Sequence, residues 1–135
     1  MITDNTTTKE TIHYDTRVNA SFKVRLLKRS ILFYKRQMEV LEELLKDWDF
    51  NEASSVHKED VAFFLLQLER CKMEISRKES NLIMIENRGY RFQTKQASDD
   101  LAQLLNRISR QLNVLENEVA ELNKEIRTYL IEYAA

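Results

Sequence analysis

The chain has 135 residues, with no proline, one glycine and one cysteine, and a formal net charge of -1. A single glycine excludes the GxGxxG, GxxxxGK[ST] and GxSxG motifs, because each of them needs at least two glycines. A single cysteine excludes an internal disulfide and a CxxC zinc site.

The first fifteen residues are polar and lack the basic and then apolar segments of a secretory signal. The longest apolar run, Val61 to Leu66, has six residues, whereas a membrane-spanning helix needs about 20. We therefore expect a cytoplasmic protein that does not enter a membrane, and the single thiol fits a reducing compartment.

Residues 1–18 lack a sustained apolar period, which predicts a loose, extended or disordered polar arm. A heptad pattern then begins and predicts a first helix over about 19–48. Its apolar residues recur at alternating steps of four and three, at Ala20, Val24, Leu27, Ile31, Tyr34, Met38, Leu41, Leu45 and Trp48.

Further apolar residues of this helix lie beside the heptad seam, at Leu26, Phe33, Val40 and Leu44. They widen the apolar face, and a broad face indicates burial against more than one neighbouring element.

Polar residues from Asp49 to Ser55 interrupt the pattern, and a second helix is predicted over about 57–88. Its seam is Val61, Phe64, Leu68, Cys71, Ile75, Lys78, Leu82 and Ile85. Because Cys71 lies on this seam, we interpret it as a small core residue and not as a nucleophile. Arg88 followed by Gly89 is a typical end of a helix.

A third helix is predicted over about 98–133, with Ser98 as its N-cap. Its seam is Leu101, Leu104, Ile108, Leu112, Leu115, Val119, Leu122, Ile126, Tyr129 and Tyr133. Two consecutive steps of four, from Leu104 to Leu112, predict a stutter that would locally unwind a left-handed supercoil.

The three helices predict an all-α fold, an elongated antiparallel up-down-up three-helix bundle with coiled-coil-like heptad packing. Residues 19–135 would form its single domain. The alternative is a rod in which the second and third helices continue through Gly89, since one glycine costs a helix only about 1 kcal/mol.

Charge is sorted along the chain. Residues 16–37 hold seven basic and no acidic side chains, whereas residues 38–69 hold nine acidic and two basic ones. An up-down-up fold would gather positive charge at one end, near Lys23, Arg25, Lys28, Arg29, Arg88, Tyr90, Arg91 and Lys95. These residues are the candidate site for an anion or a partner. Alternating basic and aromatic residues can grip phosphates and stack on bases, although Tyr90 could instead pack beside the glycine C-cap.

No arrangement typical of catalysis or metal binding is recognisable. A di-metal site in a bundle needs Glu-x-x-His pairs, and neither His13 nor His57 has a glutamate three residues upstream. We interpret His57 as an exposed residue at a helix start. Either a buried, hydrogen-bonded carboxylate or His57 in a closed pocket would favour an enzyme. We predict no enzymatic activity, no metal and no cofactor.

The last two turns of the third helix are apolar on nearly all sides, at Tyr129, Leu130, Ile131 and Tyr133. These residues are the candidate self-association surface, unless the N-terminal arm folds back over them through Ile12, Tyr14 and Val18. The leading hypothesis is a helical interaction or scaffold protein that forms a homo-oligomer, in the first instance a dimer, or docks a partner helix. The second hypothesis is a nucleic-acid or polyanion binder that uses the basic end.

Overall fold

Three heptad segments form three long helices in a computed structural model of the chain. It describes residues 5–52, 55–90 and 94–133, and the side chains of 19–48, 57–90 and 94–133. The helices are α1 (Asn5–Glu52), α2 (Ser55–Arg88) and α3 (Lys95–Tyr133), and the described residues form no strand. The all-α class is confirmed.

Contacts between side chains establish the up-down-up topology. Lys28 pairs with Glu86 and Lys35 with Glu79, so each heptad step along α1 is matched by a step backward along α2. Between α1 and α3 the numbers instead rise together, since Lys23 contacts Asn106 and Tyr34 hydrogen-bonds Glu116. The three helices pack on one another in every pair, and the alternative of a continuous α2–α3 rod is wrong.

The core follows the predicted seams of α1 and α2. The α1 seam from Ala20 to Trp48 is buried at every position, and α2 buries Val61, Leu68, Cys71, Ile75, Leu82 and Ile85. Burial also raises the pKa of the Cys71 thiol, which agrees with its interpretation as a core residue.

The predicted seam of α3 is wrong in its first turns. Leu105 is buried, whereas Leu104 is only partly buried, and the spacing from Leu105 to Ile126 then alternates by three and four without interruption. The predicted stutter does not occur, because the seam position is occupied by Leu105 and not by Leu104, and this keeps the heptad spacing regular.

The predicted arm is also corrected, because α1 begins at Asn5 and residues 5–18 are helical. This stretch contains no proline or glycine, and each threonine costs a helix only about 0.7 kcal/mol or less. Extending a formed helix is much easier than nucleating one. Residues 1–4 lie outside the described part of the chain.

The other helix boundaries were partly predicted. Gly89 follows the end of α2 with φ of 74°, the left-handed conformation expected of a glycine at that position. At α3 the predicted cap is wrong, because the backbone N–H of Ala97 donates to Thr94 Oγ1 at 3.1 Å, so Thr94 replaces Ser98 as N-cap. The polar break also proved shorter than predicted, since α1 continues through Glu52 and α2 begins at Ser55.

Candidate interaction surfaces

The bundle brings the predicted basic residues together at one end. Lys28 Nζ lies 2.8 Å from Glu86 Oε1, and this hydrogen bond raises the pKa of Lys28. Lys23 donates to the side-chain oxygen of Asn106. Lys28 is thus paired with a carboxylate of the same chain, whereas the partner of Lys23 is a neutral amide and its positive charge is not compensated.

Four other members of this group remain available to solvent. Arg25, Arg29, Arg88 and Lys95 are exposed, and none of them forms an ion pair with a described side chain. Arg91, which was also predicted to belong here, lies outside the described residues. The structure thus divides the predicted basic end into paired and available cations.

Tyr90 packs inward. Its side chain is half-buried against the core, and burial raises the pKa of its phenol. The Tyr90 hydroxyl also interacts with Ser21 of α1. This arrangement matches an apolar contact beside the glycine C-cap, and it leaves little of the ring free to stack on a base.

The predicted self-association surface is divided in a similar way. Tyr129 and Leu130 pack against the core, whereas Ile131 is 79% exposed and Tyr133 is 50% exposed. The N-terminal part of α1 lies at the opposite end of the bundle from this tail. The helical course of residues 5–18 therefore does not fold back over the end of α3.

His57 is not the exposed residue that was predicted. It is half-buried, and its Nδ1 lies 2.7 Å from the Tyr129 hydroxyl, which donates to Asp60 Oδ2 at 2.7 Å. Because the single phenolic hydrogen goes to Asp60, His57 Nδ1 acts as the donor to Tyr129. Burial and this hydrogen bond to Asp60 raise the pKa of Tyr129.

Aromatic rings surround this hydrogen-bonded chain. The ring centroid of His57 lies 5.3 Å from that of Trp48 and 5.1 Å from that of Tyr133, and Tyr129 lies 5.4 Å from Phe64. The adjacent groove of about 620 Å³ is open and is lined by Asp60 and Tyr129 but not by His57. The arrangement joins α1, α2 and α3 at this end, and the groove that the described residues form beside it is open to solvent.

Besides its buried seam, α1 has an apolar stripe on the side that faces away from α2 and α3. Phe22, Leu26, Phe33 and Val40 are between 44% and 58% exposed. The broad apolar face was predicted to be buried against more than one neighbour, and for Leu26, Phe33 and Val40 that prediction is wrong. Leu44 alone among the off-seam residues packs against the core. We refer to the exposed side of α1 from Phe22 to Glu43 as the outer face.

Charged residues on the outer face are ordered by sign. Along α1, Arg25, Arg29 and Arg36 come before Glu39 and Glu43. All five are exposed, and none forms an ion pair with a described side chain. The outer face therefore combines large apolar side chains with charged ones that form no ion pair with a described side chain.

A shallow groove of about 1060 Å³ separates α2 and α3. It contains exposed apolar side chains from both helices, including Phe63, Met73 and Val114. The charged residues that line the groove are mainly basic on α2 and acidic on α3: Arg70, Glu74, Arg77 and Lys78, facing Glu118, Glu121 and Glu125. Glu74 and Arg77 pair with each other at 2.7 Å. Charge is therefore separated across this groove, between two helices, whereas on the outer face of α1 it is separated along one helix.

The described helices contain no stretch that combines the length and the hydropathy of a membrane span. Comparison with protein-family models, with curated proteins and with solved structures found no significant match.

Proposed function

We propose that this chain is a non-enzymatic helical interaction protein that docks another helix on the outer face of α1. The occupant is a second copy of the chain or a helix of a partner. The observation that carries the proposal is the exposure of Phe22, Leu26, Phe33 and Val40 on the side of α1 that faces away from α2 and α3.

The stripe is not needed to complete the core. The inner seam of α1 is already buried from Ala20 to Trp48, so the outer apolar residues add little to the stability of the isolated bundle. Contiguous exposed apolar residues with polar neighbours are typical of protein interaction sites. Their spacing of four and seven residues suits a helix lying along the stripe.

Photochemical cross-linking in the producing cells tests this proposal. Phe33 and Phe63 provide a matched pair, because both are 58% exposed and both make edge contacts with the next aromatic residue, Tyr34 or Phe64. With a benzophenone amino acid at either position, we expect ultraviolet-dependent adducts at 33 well above those at 63. Mass spectrometry of the adduct distinguishes a second copy from a different chain. Equal or absent adducts at the two positions would contradict the proposal.

A second candidate function is the binding of nucleic acid or another polyanion at the basic end. It is supported by the exposed cations Arg25, Arg29, Arg88 and Lys95, which form no ion pair with a described side chain. Phosphate contacts release counterions and so weaken steeply with added salt.

The test is fluorescence anisotropy of a labelled random-sequence oligonucleotide, with DNA and RNA measured separately at two salt concentrations. Binding that falls with salt and is lost when these four cations are replaced by glutamate would support this function. Lys28 is left unchanged in the variant, because Lys28→Glu would place a second carboxylate beside that of Glu86. No change in anisotropy at low salt with either probe would contradict nucleic-acid binding at this end.

A further inference from the structure

We infer that the outer face of α1 is occupied by a second copy of this chain, with the two α1 helices antiparallel. The inference rests on the proposed function and identifies its partner and geometry. A symmetric dimer requires a surface that is complementary to itself under a two-fold rotation.

The order of charge on the outer face meets this requirement. If Arg29 of one copy lies opposite Glu39 of the other, the same register places Arg25 opposite Glu43. Two-fold symmetry repeats both contacts, so four ion pairs form from side chains that have no described ion-pair partner in the single chain. A parallel arrangement would instead place each arginine beside the same arginine of the second copy, and like charges across an interface are strongly unfavourable.

The apolar residues fit the same register. The two-fold axis crosses the outer face at the level of residue 34, so Phe33 lies beside it. Leu26 of one copy lies within about 3 Å, along the helix direction, of Val40 of the other, whereas Phe22 lies opposite Lys46. Near the axis, Arg36 of one copy lies opposite Leu32 and beside Phe33 of the other. A guanidinium on an aromatic face is a favourable contact, so this cation also gains a partner on association.

Two other occupants fit the outer face less well. An anionic lipid surface or a polyanion would attract Arg25, Arg29 and Arg36 but would repel Glu39 and Glu43 on the same stripe. A docked helix from α2 or α3 of a second copy would produce a head-to-tail contact that does not close and leads to longer assemblies. The α1 pair closes after two copies.

Charge exchange at one contact tests the inference. The variants are Arg29→Glu, Glu39→Arg and the two combined, compared by sedimentation velocity over a wide range of protein concentrations. Both residues are exposed and have no described ion pair, so none of these changes should unfold the bundle. We expect each single variant to weaken dimerisation at least about tenfold, since symmetry creates two like-charge contacts. The combined variant should recover to within about threefold of the original Kd.

Arg107→Glu is the matched control, because Arg107 is an exposed and similarly unpaired arginine on α3. It should leave the dimer unchanged. Circular dichroism of every variant checks that the helices are retained.

A distance measurement tests the orientation without changing the interface. A nitroxide on Asn19→Cys, in a Cys71→Ala background, would be about 45 Å from its copy in the antiparallel pair, since residue 19 lies opposite residue 49. In a parallel pair the two labels would be less than about 20 Å apart, given helix axes 8–10 Å apart. Double electron–electron resonance separates these distances.

The outcomes separate this inference from the proposed function. A monomer at all concentrations overturns the second copy, while photochemical adducts at position 33 with a different chain would still support docking. A dimer that the combined variant does not restore, or that gives the short label distance, overturns the antiparallel pairing. Assemblies larger than two copies would favour the head-to-tail contact.

Discussion

The two faces of α1 show that apolar spacing alone does not determine burial. The inner face, with Val24, Ile31 and Met38, is fully buried, whereas Leu26 and Phe33 on the outer face are 44% and 58% exposed. Both faces carry large apolar side chains at heptad spacing. The difference arises because α2 and α3 both pack on one side of α1, and a three-helix bundle has no further element to cover the other side.

The largest difference is expected from adjacent substitutions on the two faces. Ile31→Ala should lower the free energy of unfolding by about 2–5 kcal/mol, because Ile31 is fully buried and its truncation leaves a cavity. Leu32→Ala should change it by about 0.5 kcal/mol or less, because Leu32 is exposed. Urea unfolding at low protein concentration measures both values without a contribution from association. Similar losses in the two variants would mean that the outer face is buried in the isolated chain.

Alkaline pH provides the second way to distinguish the faces. Burial and then the hydrogen bond to Glu116 raise the pKa of the inner-face Tyr34 to about 12 from 10.0. The pKa of Tyr34 is higher in the folded chain than in the unfolded chain. Its protonated phenol therefore contributes fully to the free energy of unfolding below about pH 10, and this contribution is lost as pH rises toward 12. In Tyr34→Phe, the free energy of unfolding should therefore decrease less between about pH 10 and 12, with a difference from the original chain of a few kcal/mol at most.

Phe33→Tyr is the matched control, because it places a phenol on the exposed outer face of α1. It should leave the pH dependence of urea unfolding unchanged. An equal effect of the two substitutions would contradict the distinction between the faces.

The smallest effect is expected at the edge between the two faces. Lys35 Nζ lies 2.6 Å from Glu79 Oε1, with both side chains about one-third exposed. Lys35→Glu or Glu79→Lys alone should cost about 1 kcal/mol or less, and the combined exchange should recover most of the loss. The neighbouring Arg36→Glu, on the outer face, should cost less than either single change. Failure of the combined exchange to recover stability would mean that this ion pair does not contribute.

Edge pairs of this kind also favour one register of α1 against α2. Sliding the helices by one heptad would place Lys35 opposite Lys72 in one direction and Glu42 opposite Glu79 in the other. In the observed register, Lys72 instead pairs with Glu42 at 3.0 Å. Cations toward the N-terminus of α1 oppose the helix dipole. Ion pairs with α2 partly explain why α1 carries them there.

The functional candidates were predictable only in part. The basic residues could be grouped at one end because the hairpins follow from the helix pattern, but their ion pairs could not be foreseen. Lys28 is held by Glu86, and Tyr90 packs inward. His57 was misinterpreted because its partner Tyr129 is distant in sequence. The signal for the outer face was present in the off-seam spacing of Leu26, Phe33 and Val40, but it did not tell exposure from burial.

By itself, the sequence determined three helices, their antiparallel order and the inner seams of α1 and α2. Sustained apolar spacing and a glycine at the end of α2 favour these features locally. The tertiary structure alone decided between Leu104 and Leu105, because both are apolar neighbours and only packing against the other helices distinguishes them. It likewise decided which side of α1 is covered, since burial depends on where the neighbouring helices lie and not on the spacing within one helix.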